Sequence, residues 1–288
     1  MDTLVAMSNP APVMEGAEVR PPAQLASLVA RYVGYRCQGI PPGTHLGLPS
    51  RHLTVVVSLG APTRTLRMPD PRQAPADLAA LAGGLHTRPA VIGHDGDLFG
   101  VQFDLTPDGA RSLLGVSPGE LGPAVVPLDQ LLGAGTGELI ERMSEAVTWR
   151  ARFAVLTEML SRGVERMPGP PAELARAWRC LTESDGAVRI ADVAREVGWS
   201  RRHLSERFTV EYGLSPKEAA RVMRFERSKR LLQRRDRPAL ATVATACGYY
   251  DQAHMARDWN DFIGCPPSAW LTGEELLFVQ DGDTEPPR

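Results

Sequence analysis

Two short segments near the C-terminus of this 288-residue chain carry side chains that can hydrogen-bond to the edges of DNA bases. The candidate base-reading residues are Arg201, Arg202, Ser205 and Glu206 in the first segment, and Gln252, Ala253, His254 and Arg257 in the second, and all of them except Ala253 can hydrogen-bond. Glutamine can bond adenine at two points and arginine can bond guanine in the same way, each worth about 1–3 kcal/mol of discrimination. Base reading of this kind needs an element that carries the side chains into a groove.

Each segment follows a copy of one sequence pattern. Residues 191–199 and 241–249 both read Ala-x-Val-Ala-x-x-x-Gly-aromatic, 50 positions apart. Each copy predicts a short helix that ends at a glycine and is followed by a second helix. Two helices joined by such a turn form a helix-turn-helix, whose second helix can lie in the major groove. Two copies in one chain make DNA reading the leading hypothesis.

The first copy, unit 1 (residues 191–209), assigns a role to each position. Gly198 ends the first helix, because the turn needs a conformation that glycine adopts cheaply. Ser200 is the expected N-cap of the second helix, since its hydroxyl can accept from free backbone amides. Leu204 and Phe208 lie one helical turn apart and should pack on the first helix, so Arg202 points the other way.

The second copy, unit 2 (residues 241–262), repeats this arrangement with one extra residue in its turn. Asp251 is the expected N-cap, and Met255 and Trp259 take the inward positions at an offset of 51 rather than 50. We expect Gln252 and Arg257 to be the strongest base-reading residues, because both face outward and both can form paired hydrogen bonds.

A long helix should join the two units. The run from Ser215 to Glu218 is a helix start with a serine cap, an early proline and an acidic residue, and Pro238 breaks the chain after the helix. Residues 217–232 carry arginines on the side opposite their apolar face. We predict phosphate contacts for these arginines and for residues at the recognition segments: Ser200, Arg221, Arg224, Arg227 and Asn260.

These features together resemble the AraC/XylS transcription regulators. The double helix-turn-helix, the joining helix and residues 248–270 carry the resemblance, including the family's glycine-x-proline ending at Gly264-Cys265-Pro266. It covers about residues 171–272, roughly a third of the chain. The resemblance implies that both second helices enter successive major-groove segments on one face of bent double-stranded DNA. It also implies an operator as partner, a homodimer, and possible contact with RNA polymerase.

Glu206 departs from what a base-reading position usually carries. Its carboxylate can accept a hydrogen bond from a cytosine amino group. It can equally pair with Arg202, one helical turn earlier, and contact no DNA. We favour the ion pair of the two alternatives.

Charge and composition fit a DNA-binding regulator that needs no cofactor. The net charge is −2 overall, but −2 over residues 1–170, +4 over residues 171–272 and −4 over the last 16 residues. A modestly positive module beside acidic segments suits phosphate binding. No apolar run approaches the ~20 residues of a membrane helix, no secretory signal is present, and the four cysteines lack a Cys-x-x-Cys spacing. We therefore expect a cytoplasmic protein without membrane, metal or cofactor.

The N-terminal half is predicted to be β-rich, which makes the chain α+β. Alternating apolar residues predict strands at 53–59, 63–68 and 98–105, and helices are expected at 106–114, 137–147 and 149–163. Gly and Pro clusters at 41–49 and 82–96 predict loops. The expected divisions are a flexible leader at 1–22, a β-rich barrel or sandwich with flanking helices at 23–166, a linker at 167–171, an all-α domain at 172–272 and an acidic disordered tail at 273–288.

This N-terminal half resembles the β-rich sensing domains of many AraC-type regulators. Residues 47–54 and 84–88 resemble a subgroup of such domains that is common in actinobacteria. The four residues Arg51, His52, Arg88 and His94 could bind an anionic small molecule in the mouth of the domain. The alternative is that they are only solvated surface residues.

Three functions remain open at this point. The first is a dimeric regulator whose N-terminal domain senses a small-molecule effector. The second is a metal-dependent or hydrolytic N-terminal enzyme that the C-terminal module targets to DNA; the histidines give it little support, because no His-x-His pair with a nearby glutamate is present. The third is a constitutive DNA-binding protein with an N-terminal dimerisation scaffold. No catalytic residue is assigned.

Overall fold

The computed structural model describes residues 12–163 and 168–272. Within residues 12–163 the chain forms ten strands: β1 (Val13–Val19), β2 (Val29–Gln38), β3 (Gly43–Gly47), β4 (Leu53–Ser58), β5 (Thr63–Arg67), β6 (Ala76–Leu78), β7 (Ala80–Gly83), β8 (Ala90–His94), β9 (Leu98–Leu105) and β10 (Val125–Pro127). Five helices accompany them: α1 (Pro107–Leu114), α2 (Pro118–Leu121), α3 (Asp129–Leu132), α4 (Gly135–Glu145) and α5 (Trp149–Arg162). The described part of the chain ends with α6 (Ala172–Glu183), α7 (Ile190–Glu196), α8 (Arg201–Tyr212), α9 (Pro216–Gln233), α10 (Leu240–Ala246), α11 (Gln252–Ile263) and α12 (Pro267–Thr272).

The strands form two antiparallel sheets that stack as a β-sandwich. One sheet has the order β1-β2-β9-β4-β7-β10 and the other the order β3-β8-β5-β6. Neither order closes on itself, so the sandwich is the correct one of the two predicted architectures and the closed barrel is wrong. The α+β fold class is confirmed.

Alternating residues of β4 explain how the six-stranded sheet is buried on both faces. Leu53, Val55 and Val57 have no exposed surface and pack in the main core with the helices. Val56 faces the other way and packs beside a smaller cluster between the sheets. Gly34 of β2 lets helix α5 lie close to the sheet, because a Cβ there would come within 2.3 Å of the Trp149 indole.

The structure corrects the prediction of a flexible leader. Residues 13–19 form β1, which pairs along its whole length with β2, from Val13 opposite Gln38 to Val19 opposite Tyr32. Residues 1–11 lie outside the described part of the chain. The expected loops at 41–49 and 82–96 also contain strands, because β3 and β8 pair with each other from Gly43–His94 to Gly47–Ala90.

The predicted N-terminal helices are confirmed within a few residues. Helix α1 follows Thr106, whose hydroxyl accepts from the backbone N–H of Gly109 at 3.0 Å. Helices α4 and α5 correspond to the expected helices at 137–147 and 149–163. In the predicted linker, residues 168–171 precede α6 and Met167 lies outside the described residues, as does the predicted tail at 273–288.

Two helix pairs joined by α9 form the C-terminal part. The pairs α7–α8 and α10–α11 are the two predicted helix-turn-helix units, and Gly198 and Gly248 hold their turns at φ of 73° and 75°. Helix α9 begins with a capping box: Ser215 Oγ accepts from the Glu218 N–H, and the Glu218 carboxylate accepts from the Ser215 N–H. The joining helix is therefore where the sequence predicted it.

The cores of the two units differ in their neighbours. Buried residues of unit 1 and of α6 share one continuous cluster with the β-sheet and its helices. Unit 2 packs around its own cluster with one side of α9, which includes Phe225, Trp259 and Phe262. Unit 1 is thus built onto the N-terminal domain, and unit 2 has a separate core.

Candidate nucleic-acid interface

One cap and two buried side chains position helix α8. The Ser200 hydroxyl accepts from the backbone N–H of His203 at 3.2 Å, as the sequence predicted for an N-cap. Leu204 and Phe208 have no exposed surface. The other side of the helix reaches solvent: Arg201, Arg202 and Glu206 are exposed and Ser205 is half-buried.

Helix α11 is held in the same way. Asp251 Oδ1 accepts from the His254 N–H at 2.7 Å, and Met255 and Trp259 are buried. The indole N–H of Trp259 donates to Ser228 Oγ of α9 at 2.9 Å, which ties α11 to the joining helix. On the outward side, Gln252, Ala253 and Arg257 are exposed and His254 is half-buried. This exposure is what base reading requires, and base reading by these residues stays a prediction.

The two outward faces carry opposite charges at one matching position. With the offset of 51, Glu206 of α8 corresponds to Arg257 of α11, and Arg202 corresponds to Ala253. Arg202 Nε lies 2.8 Å from Glu206 Oε1, so the favoured ion pair forms in this structure. Among the described residues, Arg257 has no ion-pair partner. Unit 1 therefore presents a neutralised pair, and unit 2 presents a bare guanidinium.

Two of the residues predicted to contact phosphate, Arg221 and Arg224, are engaged inside the protein, and phosphate contacts by them stay predictions. Arg221 Nε donates to Asp258 Oδ1 of α11 at 2.8 Å, and a second nitrogen of Arg221 contacts Asp261. Arg224 Nη1 donates to the Gly186 carbonyl at 2.8 Å, and its side chain is only 14% exposed. The periodicity of α9 placed these arginines opposite its apolar face, but the acidic residues of α11 lie on that same side.

The other three predicted phosphate residues remain accessible in part. Arg227 is about one-third exposed and lies 3.8 Å from Asp185 Oδ2. Ser200 and Asn260 are exposed. Their contacts with phosphate stay predictions.

Sequence reasoning missed three residues that share the outward surface. His203 and Arg207 on α8 and Tyr250 before α11 are exposed. His203 could have been found from the repeat, because it corresponds to His254 at the offset of 51. The structure repeats the match, since each histidine ring lies edge-on against the aromatic residue of its own turn: Trp199 at 4.6 Å and Tyr249 at 5.2 Å between centroids.

The C-terminal end of α8 contacts the N-terminal domain directly. Arg111 of α1 donates to both carboxylate oxygens of Glu211, at 2.6 and 2.7 Å, and both side chains are largely buried. Helix α2 packs against the same end, where a Cβ on Gly119 would lie 1.9 Å from the Val210 carbonyl oxygen. The first recognition helix is therefore fixed to the N-terminal domain at its far end.

The four residues of the predicted ligand site do not come together. Arg51 forms two interdomain ion pairs. Its Nε lies 2.5 Å from Glu226 Oε2 of α9, and its Nη2 lies 2.8 Å from Asp185 Oδ1. Arg88 is exposed after β7, and His94 lies in β8 with its ring 5.8 Å from that of His45. The prediction of one shared site at the domain mouth is wrong, because the chain places these residues in three regions.

Only His52 and Arg51 of that set line a cavity between the two domains. The cavity measures about 770 Å³, and its walls include Arg31, Asp104 and Trp178. Arg31 Nε donates to Asp104 Oδ2 at 2.6 Å. Burial lowers the pKa of His52 below its ordinary value, so this imidazole is neutral at pH 7. The cavity wall is thus polar, and it contains two ion pairs, Arg31–Asp104 and Arg51–Glu226.

Burial also lowers the pKa of two further histidines in the sandwich. It lowers the pKa of His86 to about 4, and burial together with the neighbouring His94 lowers the pKa of His45 to about 4. Within the described ranges, no group of three or more His, Cys, Asp or Glu residues is placed to hold a metal ion. None of the described helices has the length and apolar character that would let it cross a membrane.

Comparisons with known proteins agree with this geometry. Residues 193–273 match the helix-turn-helix domain family. The uncharacterised helix-turn-helix-type transcriptional regulator YbfI of Bacillus subtilis (strain 168) is 30% identical over 124 residues, which cover 41% of this chain and 44% of that relative. The chain therefore aligns with less than half the length of this curated relative.

One solved structure has a similar fold over most of the chain. ToxT from Vibrio cholerae O395 matches with a TM-score of 0.50 and 11% identity, covering 90% of this chain and 96% of that chain. A regulator with an AraC-type DNA-binding domain from Chromobacterium violaceum is 24% identical, with a TM-score of 0.31, and covers 36% of this chain and 95% of that chain. The likeness to ToxT extends over both the β-rich and the helical parts.

Residues 193–273 are therefore a helix-turn-helix DNA-binding domain. With two units joined by α9, it is a domain of the AraC/XylS type, as the sequence motifs predicted.

Proposed function

We propose that this protein is a sequence-specific DNA-binding transcription regulator. One observation carries the proposal: two helices of equal length, α8 and α11, each present an exposed polar face on a buried, N-capped scaffold. Such helices can enter successive segments of the major groove, where side chains read bases and flanking groups contact phosphates. The family match of residues 193–273 and the regulator YbfI support this function over an N-terminal enzyme targeted to DNA.

The proposed base-reading set is unequal between the units. Gln252 and Arg257 would provide most of the discrimination, because each has free hydrogen-bonding groups. In unit 1, Arg202 must leave Glu206 before it can form paired hydrogen bonds with guanine. We also infer a cytoplasmic location, a homodimer and contact with RNA polymerase, as the family resemblance implies.

Selection of bound DNA from a random pool tests the proposal directly. The full chain should enrich one motif, and a duplex with that motif should bind at least 10³-fold more tightly than a scrambled duplex at physiological salt. Enrichment of no motif, with equal affinity for both duplexes, would contradict sequence-specific regulation.

We further propose that a small polar effector binds in the interdomain cavity beside His52. The cavity touches both domains, so a ligand there could change how they pack. This replaces the predicted site, since Arg88 and His94 lie elsewhere. A ligand that binds only the folded protein raises its apparent stability, so thermal-shift screening of polar metabolites should find stabilising compounds. Their effect should disappear in His52→Phe, and retention of the shift in that variant would place the effector elsewhere.

A further inference from the structure

The turn of unit 2 contains one residue that has no counterpart in unit 1. The repeat has an offset of 50 up to Tyr249 and of 51 from Asp251 onward, so Tyr250 is the inserted residue. Tyr249 before it is buried, with 5% of its surface exposed, and takes the core position that Trp199 takes in unit 1. The insertion is therefore not needed to complete the core.

The backbone of Tyr250 is fixed at the end of α11 that carries the predicted base-reading residues. Its N–H donates to His254 Nδ1 at 3.4 Å, and the next residue, Asp251, caps the helix. The His254 ring in turn lies edge-on against Tyr249. The inserted residue is thus held in place on both sides, two positions before Gln252.

The side chain of Tyr250 is 93% exposed, more than that of any other large apolar residue in the described part of the chain. Within residues 12–163 and 168–272, its ring stacks on no other aromatic ring. An exposed phenol adds little to the stability of the fold. It does combine a flat apolar ring with a hydroxyl that can donate to a phosphate oxygen, and tyrosine is one of the residues that bind the DNA backbone in this way.

We propose that Tyr250 contacts the DNA backbone, with its hydroxyl donating to one phosphate beside the groove segment that α11 enters. This inference rests on the proposed function. Because phosphates carry no sequence information, the contact sets the register and depth of α11 and does not select bases. Unit 1 has no residue at the position of Tyr250, so this tyrosine contact belongs to unit 2 alone.

The test combines Tyr250→Phe with duplexes in which single phosphates of the selected motif are replaced by neutral methylphosphonates. At one phosphate, the methylphosphonate should weaken binding of the wild type about tenfold more than it weakens binding of Tyr250→Phe. At every other phosphate, the replacement should weaken binding of the two proteins equally. On unmodified DNA, Tyr250→Phe should bind motif and scrambled duplexes more weakly by the same factor. Val147→Ala is the control, because Val147 is 86% exposed in the N-terminal domain. It should bind like the wild type.

Three results would overturn the inference. One is equal binding and equal methylphosphonate profiles for wild type and Tyr250→Phe. Another is that Tyr250→Phe loses affinity only for the motif duplex and no single methylphosphonate distinguishes it from the wild type, which would identify a base contact. The third is failure of the wild type to prefer any motif, which removes the proposed function as well. The first two leave the proposed function in place, so the two failures are distinguishable. Thermal unfolding of Tyr250→Phe should match the wild type, because the hydroxyl is exposed.

Discussion

The two helix-turn-helix units share a sequence pattern but differ in what holds them. In unit 1, α8 is bound to the N-terminal domain by Arg111 and Glu211, and its core is continuous with that of the β-sheet. In unit 2, α11 is bound to α9 by Arg221 and Asp258, and its core is separate. Local sequence therefore specifies the shape of a unit, whereas distant residues determine what the unit is attached to.

This difference assigns different tasks to the two units. A change in the packing of the N-terminal domain acts directly on α8 through α1 and α2. Helix α11 is linked to the N-terminal domain less directly, through α9, where Arg51 and Glu226 form an interdomain ion pair, and through Leu48, which packs against the core of unit 2. We therefore expect unit 1 to respond to the N-terminal domain and unit 2 to provide the constant part of DNA recognition.

Removing the anchor of α8 should have the largest effect. Arg111→Ala leaves the buried Glu211 carboxylate without its partner, and breaking a buried pair in this way costs about 3–5 kcal/mol of unfolding free energy. Hydrogen exchange should accelerate in α8 and stay close to wild type in α11. Urea unfolding gives the total loss.

The matched variant for unit 2 is Arg221→Ala, which removes the partner of the buried Asp258. Its hydrogen exchange should accelerate in α11 and less in α8. If both variants loosened both helices equally, the two units would form a single cooperative block and the comparison would be broken.

Arg257→Ala should weaken DNA recognition by about 1–3 kcal/mol, which is about 5- to 150-fold in affinity for the selected motif. Arg257 is exposed and has no described ion-pair partner, so the fold should keep its thermal stability. Competition binding against the scrambled duplex measures the loss of preference. Equal affinity of variant and wild type for the motif would remove Arg257 from the base-reading set.

Acid should weaken the N-terminal domain through its buried histidines. A histidine of the unfolded chain protonates near pH 6.5, whereas the pKa values of His45 and His86 in the folded protein are about 4. Between these values the unfolded state binds more protons, so stability falls as the pH drops from about 6.5 to 4. The slope approaches 1.4 kcal/mol per pH unit for each histidine.

Urea unfolding at pH 7 and pH 5 measures this loss of unfolding free energy. At pH 5, hydrogen exchange should accelerate more in α8 than in α11. In His86→Gln the pH dependence should be smaller. An unfolding free energy that is the same at both pH values would show that these histidines are not buried in a neutral form.

The smallest effect is expected for the surface pair of unit 1. Glu206→Gln removes an exposed pair four residues apart on one helix, which is worth about 0.3–0.5 kcal/mol. Affinity for DNA should rise slightly, because a negative charge leaves a phosphate-lined groove and Arg202 is released. A loss of affinity at a single cytosine of the motif would instead show that Glu206 reads that base.

The sequence predicted the local parts of this structure and missed the distant ones. The caps Ser200, Asp251 and Ser215 and the inward residues of α8 and α11 follow from spacing within a few residues, so they could be placed without a structure. Strand β1 could not, because its pairing with β2 joins residues that have weak strand patterns of their own. The same limit applies to Arg224, whose partner Gly186 lies 38 residues away, and to Arg111, whose partner Glu211 lies 100 residues away.

Hydroxyl-radical footprinting of the full chain on its selected motif tests the two-unit reading of DNA most directly. The account predicts two protected segments on one face of the duplex, about one helical turn apart, and loss of only the segment under α11 in Arg257→Ala. A single protected segment, or two segments on opposite faces, would contradict it.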